Sequence, residues 1–373
     1  MFKMASKVYF TDMRVLPDYG LLEKLDAIMK KAKMDSIDFK DKLVAIKITF
    51  AERGNMAYIR PGYIARVVKR IQDLGGKPFL VDCNTLYYGS RSNAVDHLET
   101  AMLNGFNRIE VGCNAIIADG LTGLDSTDIP INLKHVKEAK IGSAIAAADI
   151  IISVSHFKGH QGTGFGGTIK NVGMGSGSRR GKMEMHAASK PMIKEENCVA
   201  CGKCIQHCSQ KAIAYNEYKK AKIDYSKCIG CGQCVASCHY GAAAALYDQN
   251  AATVGEKMAE YAYAVLLGKP NFHISLMMDI SPECDCWSIN DQAITPNIGI
   301  AASFDPVALD RACVDLVNQA PAIATSILFD KASYKPADDK FEHIHPDVTW
   351  RDTLDHAEEI GLGTQDYELI KIR

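Results

Sequence analysis

Two cysteine runs limit what this chain can be. "CVACGKCIQHC" places Cys198, Cys201, Cys204 and Cys208, and "CIGCGQCVASC" places Cys228, Cys231, Cys234 and Cys238. Each has the spacing C-x2-C-x2-C-x3-C, and the second begins thirty residues after the first. At that spacing three thiolates of a run can wrap one iron–sulfur cube while the fourth faces a neighbouring cube. Gly202, Gly230 and Gly232 let backbone N–H groups approach the sulfides, and such hydrogen bonds help set the potential. Zinc sites are the alternative, but they take four ligands in C-x2-C pairs rather than quartets. The expectation is two [4Fe–4S] clusters.

Outside these runs, strand and helix patterns alternate. "GLLEKLDAIMKK" (20–31) puts Leu21, Leu22, Leu25, Ile28 and Met29 on one helical face, and "KLVAIKITF" (42–50) reads as a buried strand. "RPGYIARVVKRIQDLGG" is a helix with Pro61 in its first turn and Gly75-Gly76 at its end. Strands follow at 77–82, 149–156, 271–280 and 297–303, with helices at 91–104, after Asp305, and near the C-terminus. Such alternation predicts an α/β fold with a mostly parallel sheet, and ligands bind such sheets at the carboxyl ends of their strands. The pattern stops at about 191 and resumes after 248. The expected organisation is a host in two segments, 1–190 and 249–373, with an α+β insert at 191–248.

Composition excludes several classes. The 373 residues are 23% charged with net charge −1, so no basic field points to nucleic acid or to anionic lipid. The longest apolar stretch, "IGSAIAAADIIISV", carries Asp149 and falls short of the roughly 20 residues that span a bilayer. "MFKMASKVYFTDMR" lacks the apolar core of a signal peptide. The spacing of the thirteen cysteines therefore reads as that of metal sites in a reducing cytoplasm, not of disulfides.

A second feature is "HQGTGFGGTIKNVGMGSGSRRGKMEMH" (160–186), which begins just past the strand 149–156. Residues 159–181 hold nine glycines. "GTGFGG" fits G-x-G-x-x-G, but the glycine-rich "TIKNVGMGSGS" behind it argues against the helix a dinucleotide fold needs. An anion nest using Arg179, Arg180 and Lys182 is a broader alternative. Glycine walls at Gly164, Gly166 and Gly167, with Asn171 nearby, would let a ligand approach the backbone. A desolvated Lys170 would lose pKa and become a nucleophile or covalent anchor. His160 and His186 would move protons or bind metal. The expectation is that Lys170, His160 and His186 converge on one pocket, which holds an additional metal or organic cofactor.

Five cysteines remain. Cys313 falls on the apolar face of a helix, as core packing would have it. Cys83 ends a strand, and Cys113 lies in a loop. In "ECDCWS", Cys284 and Cys286 stand one residue apart, where they can share a soft metal or serve as ordinary loop thiols.

Three resemblances add to this reading. The segment 191–248 resembles bacterial two-cluster ferredoxins, with "AIAYNEYKKAKIDY" matching their linking hairpin. That resemblance implies one cluster on Cys198, Cys201, Cys204 and Cys238, and the other on Cys228, Cys231, Cys234 and Cys208. The family's proline after the fourth cysteine is replaced by Ser209 and His239. The segment has seven lysines against five acidic residues, unlike free acidic ferredoxins, so it could receive electrons from an acidic ferredoxin or flavodoxin.

"HFKGHQGTGFGGTIKNVGMG", "ECDCWS" and "SFDPVALDRACVDLV" resemble an iron–sulfur family known only as domain of unknown function 362. It implies an α/β host with a ferredoxin insert and specifies no reaction. His160, Gly164, Phe165, Gly167 and Lys170 are similar to H-x3-G-[FY]-x-G-x2-K of nickel-pincer lactate racemases. That likeness implies a lysine tethering a pincer nucleotide, His186 on nickel and His160 as a base. Where that family has its second catalytic histidine, "NTLYYGSR" offers Tyr87, Tyr88 and Arg91.

Together these features lead to an iron–sulfur oxidoreductase that passes electrons through two clusters to a small-molecule site near Lys170. An electron carrier or sensor without catalysis, and a pincer-type isomerase with structural clusters, are the alternatives.

Overall fold

The computed structural model describes residues 5–372 except 88, 188–189, 209, 229, 231, 239, 246–249 and 331–332. Eight strands form the main sheet: β1 (Ser6–Asp12), β2 (Leu43–Lys47), β3 (Lys77–Asp82), β4 (Ala115–Ile117), β5 (Ile150–His156), β6 (Asn271–Met277), β7 (Gly299–Ser303) and β8 (Tyr367–Lys371). Their spatial order is β8-β1-β7-β6-β5-β2-β3-β4. β7 runs antiparallel to both of its neighbours, and the other pairs are parallel. The α/β class read from the sequence is therefore observed.

Every residue of β5, "IIISVSH", is buried, as befits a central strand covered on both faces. It pairs with β2 through Val44 and Ile150, and with β6 through Asn271 and Ile151. Residues beyond 270 thus complete the sheet begun before 157.

One face is covered by α1 (Leu21–Lys31), α2 (Pro61–Asp73) and α3 (Ala94–Leu103). α2 starts on Pro61 and buries Ile64, Val67, Val68 and Ile71. Full burial of one such side chain contributes roughly 1.5–3 kcal/mol. The other face carries α4 (Thr168–Ser176), α5 (Arg179–His186), α7 (Ala251–Leu266), α8 (Pro306–Gln319) and α9 (Arg351–Glu359); a short α6 (Gln233–Ser237) lies between α5 and α7 in the chain. Asp305 caps α8 by accepting from the N–H groups of Val307 and Ala308. Cys313 is fully buried in that helix, in the core.

Between α5 and α7 the chain makes two small antiparallel pairs, Met192–Ile193 with Ala243–Ala244 and Ile213–Tyr215 with Ala221–Ile223. They share a separate apolar cluster that includes Ile213, Ile223, Val235 and Ala243. Leu86 and Met183, from outside this stretch, join the same cluster.

Candidate functional site

The carboxyl ends of β2, β3 and β5 bring Lys47, Asp82 and His156 to one edge. Lys47 and Asp82 form a buried ion pair at 3.0 Å. Asn171 of α4 bridges the strand ends. Its Nδ2 donates to Lys47 O at 2.9 Å and Val154 O at 3.2 Å, and its Oδ1 accepts from Lys47 Nζ at 2.9 Å. Asn171 is thus placed as the clamp that fixes α4 across the edge.

The glycine-rich stretch folds differently from expectation. After the hairpin Lys158–His160 with Gly164–Gly166, a helix does open, at Thr168. Its two leading amides, Thr168 and Ile169, donate to the Asp310 carboxylate at 2.7 and 2.9 Å. Asp310 therefore occupies the helix N-terminus where a dinucleotide phosphate would sit. A Cβ at Gly167 would lie 2.5 Å from that carboxylate. Of the nine glycines in 159–181, only Gly164 has positive φ, at 76°. Close packing explains others: a Cβ on Gly173 would come within 2.1 Å of Met258 O on α7, and one on Gly159 within 1.9 Å of Pro282 O. The Cβ of a residue at Gly166 would meet the Lys170 stem at 3.0 Å.

Two of the three cations expected around an anion nest, Lys182 and Arg179, donate to backbone carbonyls. Lys182 Nζ donates to Gly177 O at 2.6 Å, and Arg179 donates to Ser92 O and Leu86 O, each at 3.3 Å.

Lys170 points instead at a cysteine loop. Its Nζ donates to Cys284 Sγ at 2.9 Å. Donor atoms of His160, Cys284 and Cys286 all lie within 4.8 Å of one another. Cys284 is fully buried, and His160 is 5% exposed. The loop is held from several sides. Cys286 N–H donates to Cys284 Sγ at 3.3 Å, Tyr87 Oη donates to Cys286 O at 2.7 Å, and Glu52 N–H donates to Asp285 O at 3.0 Å. Asp285 contacts Lys158 Nζ and His156 Nδ1, each at 3.2 Å. Arg91 pairs with Glu52 at 3.1 Å and donates to Tyr87 Oη at 2.7 Å. Tyr88 lies outside the described residues.

The electrostatics follow from this packing. Burial pushes the Cys284 thiol up, but the Cys286 hydrogen bond and the Lys170 and Lys158 charges bring it down to about 5. Cys286 moves the other way, because its proton is donated to Cys284 and because it is buried. Burial favours neutral Lys170, yet the charges of Cys284, Cys286 and Asp285 outweigh it and raise its pKa. This corrects the expectation of a lysine with lowered pKa. Burial, then the Lys170 charge, holds His160 well below 6.5 and His186 down to about 4. Both imidazoles are neutral at pH 7. The Lys170 charge thus contributes to lowering both histidines. His160 Nδ1 is engaged by Thr163 Oγ1 at 2.7 Å and Gly162 N–H at 3.3 Å, leaving Nε2 as the other ring donor atom.

Sequence reasoning had singled out Lys170, His160, His186 and the Cys284–Cys286 pair. It missed His156, Lys158 and Asp285. The residue between two cysteines and the strand-end "HFK" were the available signals.

The cysteine runs make a second locus. Cys198, Cys201, Cys204 and Cys238 line one hollow, together with Val199, Lys203 and Tyr215. Burial, then the neighbouring Cys238, Cys198 and Cys201, pushes the Cys204 thiol up to about 11. Backbone N–H groups of Ala221, Ala212 and Ala243 donate to the sulfurs of Cys198, Cys208 and Cys238 at 3.3, 3.2 and 3.4 Å. Gly202, Gly230 and Gly232 all have positive φ, 76°, 76° and 71°, and Ala200 matches Gly230 at 58°. A hollow lined by four thiols, with amides aimed at ligand sulfurs, fits an iron–sulfur cluster. Cys208, Cys228 and Cys234 join the adjoining apolar cluster. Cys231, Ser209 and His239 lie outside the described residues. At the boundary, a Cβ on Gly232 would lie 2.6 Å from Met183 Cγ, so the second run rests on α5.

Among the described residues no helix is long and apolar enough to cross a membrane. No curated protein matches the chain. Among solved structures, it is similar to the lactate racemase apoprotein from Thermoanaerobacterium thermosaccharolyticum, at 12% identity and TM-score 0.38, with 73% of this chain and 51% of that one covered. It is also similar to a structural-genomics protein from Thermotoga maritima, at 11% identity and TM-score 0.44, with 81% and 60% covered. The chain thus spans about half the length of the racemase (51%) and 60% of the second protein. The family described as Domain of unknown function (DUF362) matches residues 44–315, well over half of the sequence, and the chain belongs to that family.

Proposed function

We propose that this chain is an iron–sulfur oxidoreductase of a reducing, cytoplasmic compartment. In this reading residues 191–248 are a ferredoxin-like insert in a host of two segments, 1–190 and 249–373. Cys198, Cys201, Cys204 and Cys238 would hold one [4Fe–4S] cluster, and Cys228, Cys231, Cys234 and Cys208 the other. When bound, the two clusters supply one-electron transfer.

The observation that carries the reading is the position of α5. Met183 on this helix packs against Gly232 of the second cysteine run, while His186 at its end lies in the field of Lys170. A cysteine-rich locus and a buried polar pocket therefore share one eight-residue helix. A simple electron carrier has no need of such a pocket. Within it, Lys170 would hold negative charge in place, and neutral His160 and His186 would handle the protons of a small-molecule substrate or a metal. A lysine tethering a pincer nucleotide fits less well, because the Lys170 ammonium is engaged by the Cys284 sulfur at 2.9 Å. The lysine excess of 191–248 suits an acidic ferredoxin or flavodoxin as donor.

The test uses protein reduced anaerobically and freed of excess reductant, then mixed with pools of small-molecule electron acceptors. Recovery of the cluster absorbance reports reoxidation. An acceptor should be found that reoxidises the native protein quickly and Lys170→Ala or His160→Ala roughly 10²–10⁴-fold more slowly. If every acceptor treats native protein and variants alike, the chain is a carrier.

A further inference from the structure

The geometry points to a metal site outside the two cysteine runs: His160, Cys284 and Cys286 bind one thiophilic divalent transition-metal ion. The inference rests on the pocket used in the functional reading and is independent of the clusters.

Distance is the first argument. Metal–sulfur bonds near 2.3 Å and metal–nitrogen bonds near 2.0–2.1 Å allow two ligands of one ion to be at most about 4.6 Å apart. The three donor atoms already lie within 4.8 Å of one another, so small side-chain rotations bring them onto one centre. The backbone carrying them is fixed. Gly159 N–H donates to Ser281 O at 2.9 Å, which ties the His160 hairpin to the cysteine loop, and Tyr87 and Glu52 hold the loop's far end.

Charge and donor type narrow the ion. Metal binding would release the Cys286 proton to solvent, and two thiolates with a neutral imidazole then balance a divalent cation. The Lys158–Asp285 pair at 3.2 Å is neutral in itself, and Lys170 donates to a sulfur rather than competing for it. Metal-bound thiolates commonly accept such an outer hydrogen bond. In the tautomer whose Nδ1–H donates to Thr163 Oγ1 at 2.7 Å, the ring is oriented and Nε2 keeps its lone pair for the ion. Sulfur and imidazole donors select zinc-like or nickel-like ions over magnesium or calcium. Three protein ligands leave a fourth position open, the pattern of catalytic rather than structural sites. Cys286 is only partly buried, which gives the ion a way in.

The test is metal binding with iron and sulfide measured on the same sample. Anaerobic protein is equilibrated with Zn²⁺ and desalted. Native protein should retain about one zinc whose X-ray absorption fits two sulfurs near 2.3 Å and one nitrogen near 2.0–2.1 Å. Cys286→Ser, Cys284→Ser and His160→Ala should each weaken zinc retention at least about tenfold, with iron and sulfide unchanged. No retained zinc, a sulfur-free spectrum, or a Cys284–Cys286 disulfide in freshly isolated protein would overturn the site. Zinc that follows Cys284 and Cys286 in protein lacking iron and sulfide would sink the cluster reading and leave this site standing.

Discussion

Lys170 Nζ donates to Cys284 Sγ at 2.9 Å, across 114 positions of sequence. One residue comes from the helix after β5 and the other from the loop after β6. The adjacency of those two parallel strands is what brings them together. It makes Lys170 a fixed positive charge beside a thiolate, and it makes the cysteine loop part of the glycine-rich site.

The ion pair beneath that contact should carry much of the loop's stability. Asp285 and Lys158 are 1% and 4% exposed. Removing one partner leaves a buried charge uncompensated, which costs about 3–5 kcal/mol. Asp285→Ala should therefore lower the anaerobic urea midpoint strongly. The double variant with Lys158→Met should cost less than the sum of the two singles, by about 0.5–3 kcal/mol. A single variant costing under about 1 kcal/mol would show that water reaches the pair.

Two glycines should respond oppositely to alanine. Gly173 of α4 has no room for a Cβ, because Met258 O would lie 2.1 Å away, and Gly173→Ala should destabilise by roughly 1–3 kcal/mol. Gly62 sits in α2 with nothing within 4 Å of its Cβ position, and Gly62→Ala should stabilise by about 0.4–1 kcal/mol. Thermal midpoints of the two variants decide the point. Equal shifts would mean that α4 and α7 are not in backbone contact.

Asp310 gives a pH dependence of defined sign. Burial raises its carboxyl to about 6, against an ordinary value of 3.8. The folded protein holds a proton there that the unfolded chain has lost, so this contribution is fully present below pH 3.8 and is lost as pH rises through 6. From pH 5 to pH 7 the native protein should lose about 1 kcal/mol relative to Asp310→Asn, which cannot titrate. Unfolding midpoints of both proteins across that range measure the gap. A constant gap would mean the carboxylate is ionised throughout.

Much of the architecture was legible because it rests on local patterns. β5 is an unbroken apolar run, and α2 shows a Pro61 start with a clean 3.6-residue stripe. The helix α4 was hidden, since each glycine in "TIKNVGMGS" counts against helix by roughly 1 kcal/mol. Only the fold explains the glycines there: α7 crowds Gly173, and the Lys47 side chain crowds Gly175. The pKa of Lys170 was misread for a similar reason. Glycine walls speak of desolvation, while Cys284 and Asp285 lie more than a hundred residues away in sequence. Asp310 looked like one more helix position, and only the fold shows that it caps another helix. The Cys284–Cys286 spacing was visible in the sequence, and so was the placing of His160 and Lys170 just past a strand's carboxyl end.

The account depends most on what the eight cysteines hold. Protein purified without oxygen should contain about eight iron and about eight acid-labile sulfide per chain, following the ligation of two four-iron clusters by eight thiolates. Reduction should produce the paramagnetic signal of coupled [4Fe–4S]⁺ centres. Stoichiometric zinc with no sulfide would contradict it.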